Sequence, residues 1–538
     1  MQLRPIAVLV LSLTFCGSSA FAEEPGTLTW AACPPAEQGA AGTEGLVCTM
    51  ASVPMDHRDP GGPGFDLAVI KAPARGPGDR IGTLFWNPGG PSDSGTAYLP
   101  AAIGGFPDEV RDRFDIVSWD PRGMGGRTTP VVQCFASAEE EAAFLHGNLP
   151  DGLPLTPSEM ARNHAGRTAF SKACAARAGD LLAHVSTADN ARDLDLLRQA
   201  VGEETISYYG TSYGTFLGAT YLNMFPDRVR AAVLDGAISP SAWVAGPGED
   251  GGLSTFVRVG SDFAGQSSIG AFMDACGAVP ASACAFSAGS PEATRAKWDT
   301  LLTRAAAGLS LDGDRIDDRD LMTYLGSSIY TVEPLPGFGR FPGFVAVAQF
   351  LERLWQADAA PDVATVAPDP DNAANATPAA AGAAGATTVD QTYVTSAGRQ
   401  LSVICGESPN PVDAEAIAAQ IRASYARAGY SGWPLAASCE GWTARAADPY
   451  PGPWDRPTGA PVLVIGNSFD PATPFAGSVR MAQELADARL LVVHGFGHTV
   501  LINPSRCAQD YIAAYLIDGV LPPTGATCRQ DRAPFPGG

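Results

Sequence analysis

The sequence has no Cys-x-x-Cys, no cysteine beside a histidine, only 6 histidines, and a shortage of positive charge: 35 Lys and Arg against 57 Asp and Glu, for a formal net charge of −22. The two missing cysteine patterns make metal binding the weaker reading of the cysteines; no cofactor is expected. The charge deficit excludes nucleic acid and anionic membrane surfaces as partners. After residue 22 no apolar run approaches the ~18 residues of a membrane-spanning helix. With hydrophobic residues at 45% of 538 positions, the composition is that of a soluble globular protein, and the length calls for about two to four domain-sized units.

What is present begins with a targeting pattern. Arg4 supplies a positive start, Ile6 to Phe15 an apolar stretch and Ala20-Phe21-Ala22 a small-x-small cleavage site, so residues 1–22 read as a signal peptide and the mature chain is expected in the periplasm or outside the cell. Apart from Cys16, the cysteines stand at 33, 48, 134, 174, 276, 284, 405, 439, 507 and 528. An even set in an exported protein reads as disulfides, and pairing in sequence order closes five local loops.

Apolar runs at Leu46 to Val53, Phe65 to Ala72, Ile81 to Trp86, Phe114 to Trp119, Thr205 to Tyr209 and Val229 to Leu234 read as strands. Several feed Gly/Pro loops of the kind that carry sites at the carboxyl edge of an open sheet. Residues 130–185 form an excursion, and Ser186 or Thr187 caps a helix to Ala200 whose Asp189, Arg192, Asp193, Asp195 and Arg198 read as a solvated face. His57 reads as a surface turn residue. From Ser239 to Trp454 the alternation is lost, with helices at Ser290 to Ala306 and Ala414 to Gly429. A low-complexity stretch at 357–388, rich in Ala, Pro and Asp, cannot bury enough apolar area to fold alone and reads as a mobile loop. Alternation returns with Pro461 to Ile465, a helix from Ala476, a strand from Arg489 to Val493 and a helix from Cys507.

The chemistry centres on Tyr209-Gly210-Thr211-Ser212-Tyr213-Gly214-Thr215. Gly-x-Ser-x-Gly occurs by chance in a chain with 60 glycines, but here a strand precedes it and a helix pattern follows, the context of a nucleophile elbow. Glycines at 210 and 214 let the two backbones approach. A serine nucleophile needs a base and the base an orienting carboxylate. His498, in a Gly-flanked loop after a late strand, and Asp470, in the loop after the preceding strand, complete the order Ser, Asp, His. Asp235, at another strand end, is a rival for the acid, and His494 reads as structural. Two N–H donors for the oxyanion are expected from Tyr213 and from Gly90 in the Gly89-Gly90 loop.

Asn87-Pro88-Gly89-Gly90-Pro91, Asp120-Pro121-Arg122-Gly123, the serine motif, Asp470-Pro471-Ala472-Thr473-Pro474 and Gly497-His498 together resemble secreted bacterial tripeptidyl aminopeptidases, a prolyl-aminopeptidase-related serine peptidase branch of the α/β-hydrolases. The resemblance runs from about residue 45 to the C-terminus. It implies exopeptidase activity on free N-termini, a helical lid, Ser-His-Asp catalysis and no metal. The family usually continues its first motif Gly-Gly-Pro-Gly-Gly-Ser-Gly, whereas this chain has Ser92-Asp93 at the second Gly-Gly pair, which puts a carboxylate near the acyl site. A lid carboxylate usually meets the substrate ammonium, and Glu407, beside Cys405, is either that group or an ordinary surface glutamate. Asp93 is the other candidate.

The expected fold class is α/β, an α/β-hydrolase fold with a mostly parallel central sheet and a large, mainly helical lid inserted after the sixth core strand. The hydrolase core is expected in two parts, 23–238 and 455–538, around a lid at 239–454. The expected function is that of a monomeric exported serine exopeptidase acting on peptide substrates with a free N-terminus. A carboxylesterase is the nearest alternative, and a catalytically silent binding protein on the same fold is the alternative of another class.

Overall fold

The computed structural model describes residues 28–34, 42–76, 78–124, 126–149, 153–336, 341–359, 396–432 and 439–535. The proposed signal peptide and most of the low-complexity stretch lie outside them.

The strands are β1 (Ala31–Ala32), β2 (Val47–Pro54), β3 (Gly64–Ala72), β4 (Gly82–Asn87), β5 (Phe114–Trp119), β6 (Ile206–Thr211), β7 (Val229–Asp235), β8 (Leu309–Leu311), β9 (Asp314–Ile316), β10 (Asp358–Ala359), β11 (Val462–Phe469), β12 (Ala488–Phe496) and β13 (Thr527–Arg529). One sheet runs β1-β2-β3-β5-β4-β6-β7-β11-β12-β13, and β10-β8-β9 form a small separate one. Pairing is antiparallel from β1 through β3 to β5 and parallel from there on. This mixed, mostly parallel sheet with helices on its faces is the α/β-hydrolase fold.

Central strands β4 and β6 are buried along their whole length, which explains why they read as unbroken apolar runs and not as alternating ones. Tyr208 packs with Leu67, Phe85, Trp119 and Leu217 on one face, and Tyr209 with Ile70, Trp86, Val233 and Leu463 on the other. The region between β7 and β11 contains a core of its own, in which Phe272, Trp298, Leu301, Leu325, Phe344 and Leu351 are buried around the Cys276–Cys284 disulfide. Its later helix, Ser396–Glu407, packs Leu401, Val403 and Ile404 into the sheet-face core instead.

The ten cysteines pair in sequence order as 33–48, 134–174, 276–284, 405–439 and 507–528. Five disulfides point to an oxidising, extracytoplasmic compartment. Among the described residues no helix is long and apolar enough to cross a membrane, and no group of three or more His, Cys, Asp or Glu is placed to hold a metal ion.

One reading is corrected. The charged side chains of helix Thr187–Ala200 are not a solvated face: Asp189, Asp193, Asp195 and Arg198 are all buried. The helix lies against helix Tyr213–Met224 and β2, so its polar side faces protein. There the Arg122 guanidinium, from Asp120-Pro121-Arg122-Gly123, donates to both oxygens of Asp193 at 2.7 and 2.5 Å and to the carbonyls of Pro54 and Met55 at 2.8 and 2.7 Å. His57, which does lie in a turn, joins them through Nε2, 3.1 Å from Asp193, so its side chain is largely covered instead of lying at the surface.

Candidate active site

Ser212 sits between β6 and helix Tyr213–Met224 with φ 57° and ψ −127°, a conformation that is strained for any residue with a Cβ. The neighbouring glycines make it possible. A Cβ on Gly210 would stand 2.3 Å from the Gly214 carbonyl oxygen, and one on Gly214 would stand 2.5 Å from that of Asn87. The Ser212 amide donates to the Asp235 carbonyl at 3.0 Å. The Thr211 hydroxyl sits 3.1 and 3.0 Å from the carbonyls of Asn87 and Pro88 and ties the elbow to the next loop.

That loop carries Gly89 and Gly90, both at φ 107°. A Cβ on Gly89 would lie 2.7 Å from the Thr211 carbonyl oxygen and 2.9 Å from the Ser212 Cβ, so the loop backbone passes directly over the serine. The Gly89 amide is taken by the Asn87 side chain at 3.1 Å. Tyr213 is the first residue of its helix, where backbone N–H groups lack intrahelical partners. Asp120 fixes the far side of the loop: its buried carboxylate accepts from the Ser94 hydroxyl at 2.6 Å and the Thr96 amide at 2.9 Å, with Ser94 capping helix Gly95–Ala102.

His498 and Asp470 meet as the sequence order requires. Nδ1 of His498 lies 2.9 Å from both carboxylate oxygens of Asp470, which directs Nε2 to the opposite side of the ring. Asp470 Oδ1 also accepts from the amides of Ala472 and Thr473 at 2.9 Å each, and Oδ2 from the Thr473 hydroxyl at 3.0 Å. Burial by itself disfavours the imidazolium, but the charge and hydrogen bond of Asp470, helped at longer range by Asp235 and Asp93, raise the pKa of His498 above its ordinary value. Asp235 serves elsewhere. It accepts from the amides of Val500 and Leu501 at 2.9 and 3.0 Å and from the Tyr209 hydroxyl at 3.0 Å, and burial pushes its pKa up to about 6. His494 lies on β12 near the Ser468 hydroxyl.

Ser212, His498, Gly90 and Asp93 line one cavity of about 300 Å³, whose remaining wall is mainly apolar: Trp86, Tyr98, Leu335, Phe341, Leu501 and the Tyr330 ring. Tyr330 stands edge-on to the His498 ring with centroids 5.0 Å apart and stacks on Phe341. Glu407 is not brought to this cavity. Its Oε2 accepts from the Thr187 amide at 2.7 Å, and its Oε1 from the Thr187 hydroxyl at 2.6 Å and the Trp243 indole at 2.8 Å. Three protein donors occupy the carboxylate, so the expectation that it meets a substrate ammonium is corrected. Burial raises its pKa to about 7. The Thr187 hydroxyl also contacts the Tyr213 phenol at 2.5 Å, so Glu407 braces the residue behind the nucleophile.

The sequence reading missed Tyr330, Gln400, whose amide reaches the Gly90 carbonyl at 3.1 Å, and Asn503. Only Asn503 had a local signal, a polar residue before a proline after the apolar Val500-Leu501-Ile502.

This sheet, elbow and histidine loop define an α/β-hydrolase, and residues 84–250 match the family profile described as alpha/beta hydrolase fold. Residues 428–528 match the profile described as TAP-like protein. The chain is 30% identical over 492 residues to Carboxylesterase B of Mycobacterium tuberculosis, covering 89% of this chain and 86% of that one. It is 29% identical over 548 residues to Serine protease Hip1 of the same species, covering 97% and 95%. With Tripeptidyl aminopeptidase of Streptomyces lividans it shares 27% identity over 508 residues, 91% and 85% of the two chains. The protein belongs to the TAP-like family of α/β-hydrolases and is a serine hydrolase. Its relatives include both peptidases and a carboxylesterase, so their names leave the bond it cleaves to be argued from the site.

Proposed function

We propose that the protein is an exported serine aminopeptidase that releases short peptides from free N-termini. The observation that carries this reading is Asp93, a carboxylate in the wall of an otherwise mostly apolar cavity that also contains Ser212 and His498. An ammonium entering such a cavity loses water and needs a counter-charge, which Asp93 supplies, whereas a neutral ester has no use for one. A cavity of about 300 Å³ is at the small end for ligand sites, which fits a chain end and not a polypeptide passing through.

In this reading Ser212 Oγ attacks the scissile carbonyl while His498 Nε2 takes its proton, with Asp470 holding the ring. The Tyr213 and Gly90 amides donate to the oxyanion. The C–N bond breaks as His498 returns the proton to the leaving amine. Water, deprotonated by the same imidazole, then splits the ester to Ser212 and frees the peptide. The region between β7 and β11 acts as the lid, and its Tyr330 and Phe341 form the cavity roof.

A carboxylesterase is the second reading, favoured by the apolar walls and by the relative of that name. One fluorogenic tripeptide with a free or an acetylated N-terminus, assayed beside a short-chain nitrophenyl ester with S212A as blank, separates the two. The free peptide alone is expected to turn over, and D93N is expected to lose that discrimination. Hydrolysis of the ester with both peptides untouched would sink the aminopeptidase reading.

A further inference from the structure

The loop that carries His498 is strained. Thr499 has φ 62° and Gly497 has φ 84°, and a left-handed β-branched residue persists only where its surroundings over-determine it. The surroundings here converge on Asn503, which is 2% exposed. Its Nδ2 donates to the carbonyls of His498 and Thr499 at 2.9 and 3.2 Å, across the strained bond. The same side chain reaches the inserted region: Nδ2 lies 2.9 Å from the Tyr330 carbonyl, and Oδ1 accepts the Val332 amide at 3.0 Å. The His498 amide itself donates to the Tyr330 carbonyl at 2.8 Å. Gly497 is required beneath this knot, since a Cβ there would stand 2.6 Å from Asn503 Oδ1. One amide therefore closes the histidine turn and grips the segment whose Tyr330 ring walls the cavity.

We propose that Asn503 is a positioning residue that couples the seating of residues 329–332 to the working orientation of His498, so that the general base is in register only when the cavity roof is in place. The inference rests on Ser212, His498 and Asp470 acting as the catalytic groups and is independent of whether a peptide or an ester is cleaved. Asn503 touches no substrate; it acts through the backbone on either side of the imidazole.

The test compares wild type, N503A and N503D, with S212A as blank, using whichever of the free tripeptide and the nitrophenyl ester the wild type cleaves. All rates are counted per Ser212 site titrated with a fluorophosphonate, so poorly folded material drops out. Misplacing a base by about 1 Å costs on the order of 100-fold, so N503A is expected to lower kcat by roughly 10- to 100-fold with little change in KM. N503D keeps the shape and the acceptor for Val332 but cannot donate, and is expected to do no better. The groups facing His498 are Asp470, Asp235, Asp93 and Tyr330. As the ring loosens from Asp470, its raised pKa falls, so the acid limb of kcat/KM moves to lower pH in N503A. Hydrogen exchange is expected to quicken together in the peptides containing 329–332 and 497–501. A merely structural asparagine would lower the number of titratable sites and leave kcat per site, the acid limb and the paired exchange unchanged, and that result overturns the proposal. Turnover by S212A would overturn the catalytic assignment instead.

Discussion

The two ends of the site store strain in different ways. Ser212 and Thr499 both hold left-handed backbone, at φ 57° and 62°, one at the nucleophile and one beside the base. At the elbow the strain is contained by neighbours in sequence and by the adjoining strand ends: Gly210, Gly214, the Asn87 to Gly90 loop and the Asp235 carbonyl. At the histidine loop it is contained from a distance. Asp235 of β7 takes the amides of Val500 and Leu501, and Asn503 spans to Tyr330 and Val332, more than 160 positions away in sequence. The nucleophile is built into the sheet, whereas the base is held in part by the inserted region.

The largest effect expected is at the histidine end. D470N keeps an oxygen for the amides of Ala472 and Thr473 but turns an N–H toward His498 Nδ1, forcing the wrong tautomer. The loss in kcat is expected to be on the order of 10⁴-fold with the protein still folded by circular dichroism. A loss below about tenfold would mean that another carboxylate, Asp235 being nearest to hand, orients the base, and the comparison would break.

The elbow is expected to fail differently. In G214A the new Cβ meets the Asn87 backbone oxygen, which cannot swing aside as a side chain would. Forcing extra volume into such a contact costs about 1–3 kcal/mol, read as a lower urea midpoint together with reduced kcat. If G214A unfolds like wild type, the elbow is looser than its contacts indicate.

This difference also explains what was legible in the sequence. The elbow announced itself because its constraints are local: two glycines, a strand before and a helix after. Central strands β4 and β6 were legible because burial on both faces leaves mainly apolar runs. Asp470 and His498 were found by their order and their loops, which are topological cues. Asn503 and Tyr330 were not, because a contact between an asparagine after one strand and a backbone carbonyl in a remote insertion leaves no periodicity or spacing. The buried charges of helix Thr187–Ala200 were misread for the same reason: helical spacing reveals which residues share a face and says nothing about what covers it. Their cover comes from elsewhere in the chain: Arg122 and His57 on Asp193, and Tyr221 and Arg228 on Asp195.

The smallest effect is expected where the inserted region touches the elbow. Glu407 braces Tyr213 indirectly, through the Thr187 hydroxyl and through Trp243, whose indole donates to Glu407 and packs against the Tyr213 ring, while Ser212 is already fixed by its own glycines and strands. E407Q keeps an oxygen for the Thr187 amide and should leave kcat/KM within about threefold of wild type, near the range of a single modest hydrogen bond. Its signature lies in stability. Burial raises the folded-state pKa of Glu407 from 4.5 to about 7, so the folded state holds a proton that the unfolded chain has released. Stability from this group is full below pH 4.5 and falls as pH rises to about 7, then levels off. Urea midpoints of wild type measured from pH 4.5 to 8 should show that decline, and E407Q should flatten it. If E407Q instead lost activity as N503A is expected to, the nucleophile would depend on the inserted region as much as the base does, and the asymmetry between the two ends of the site would vanish.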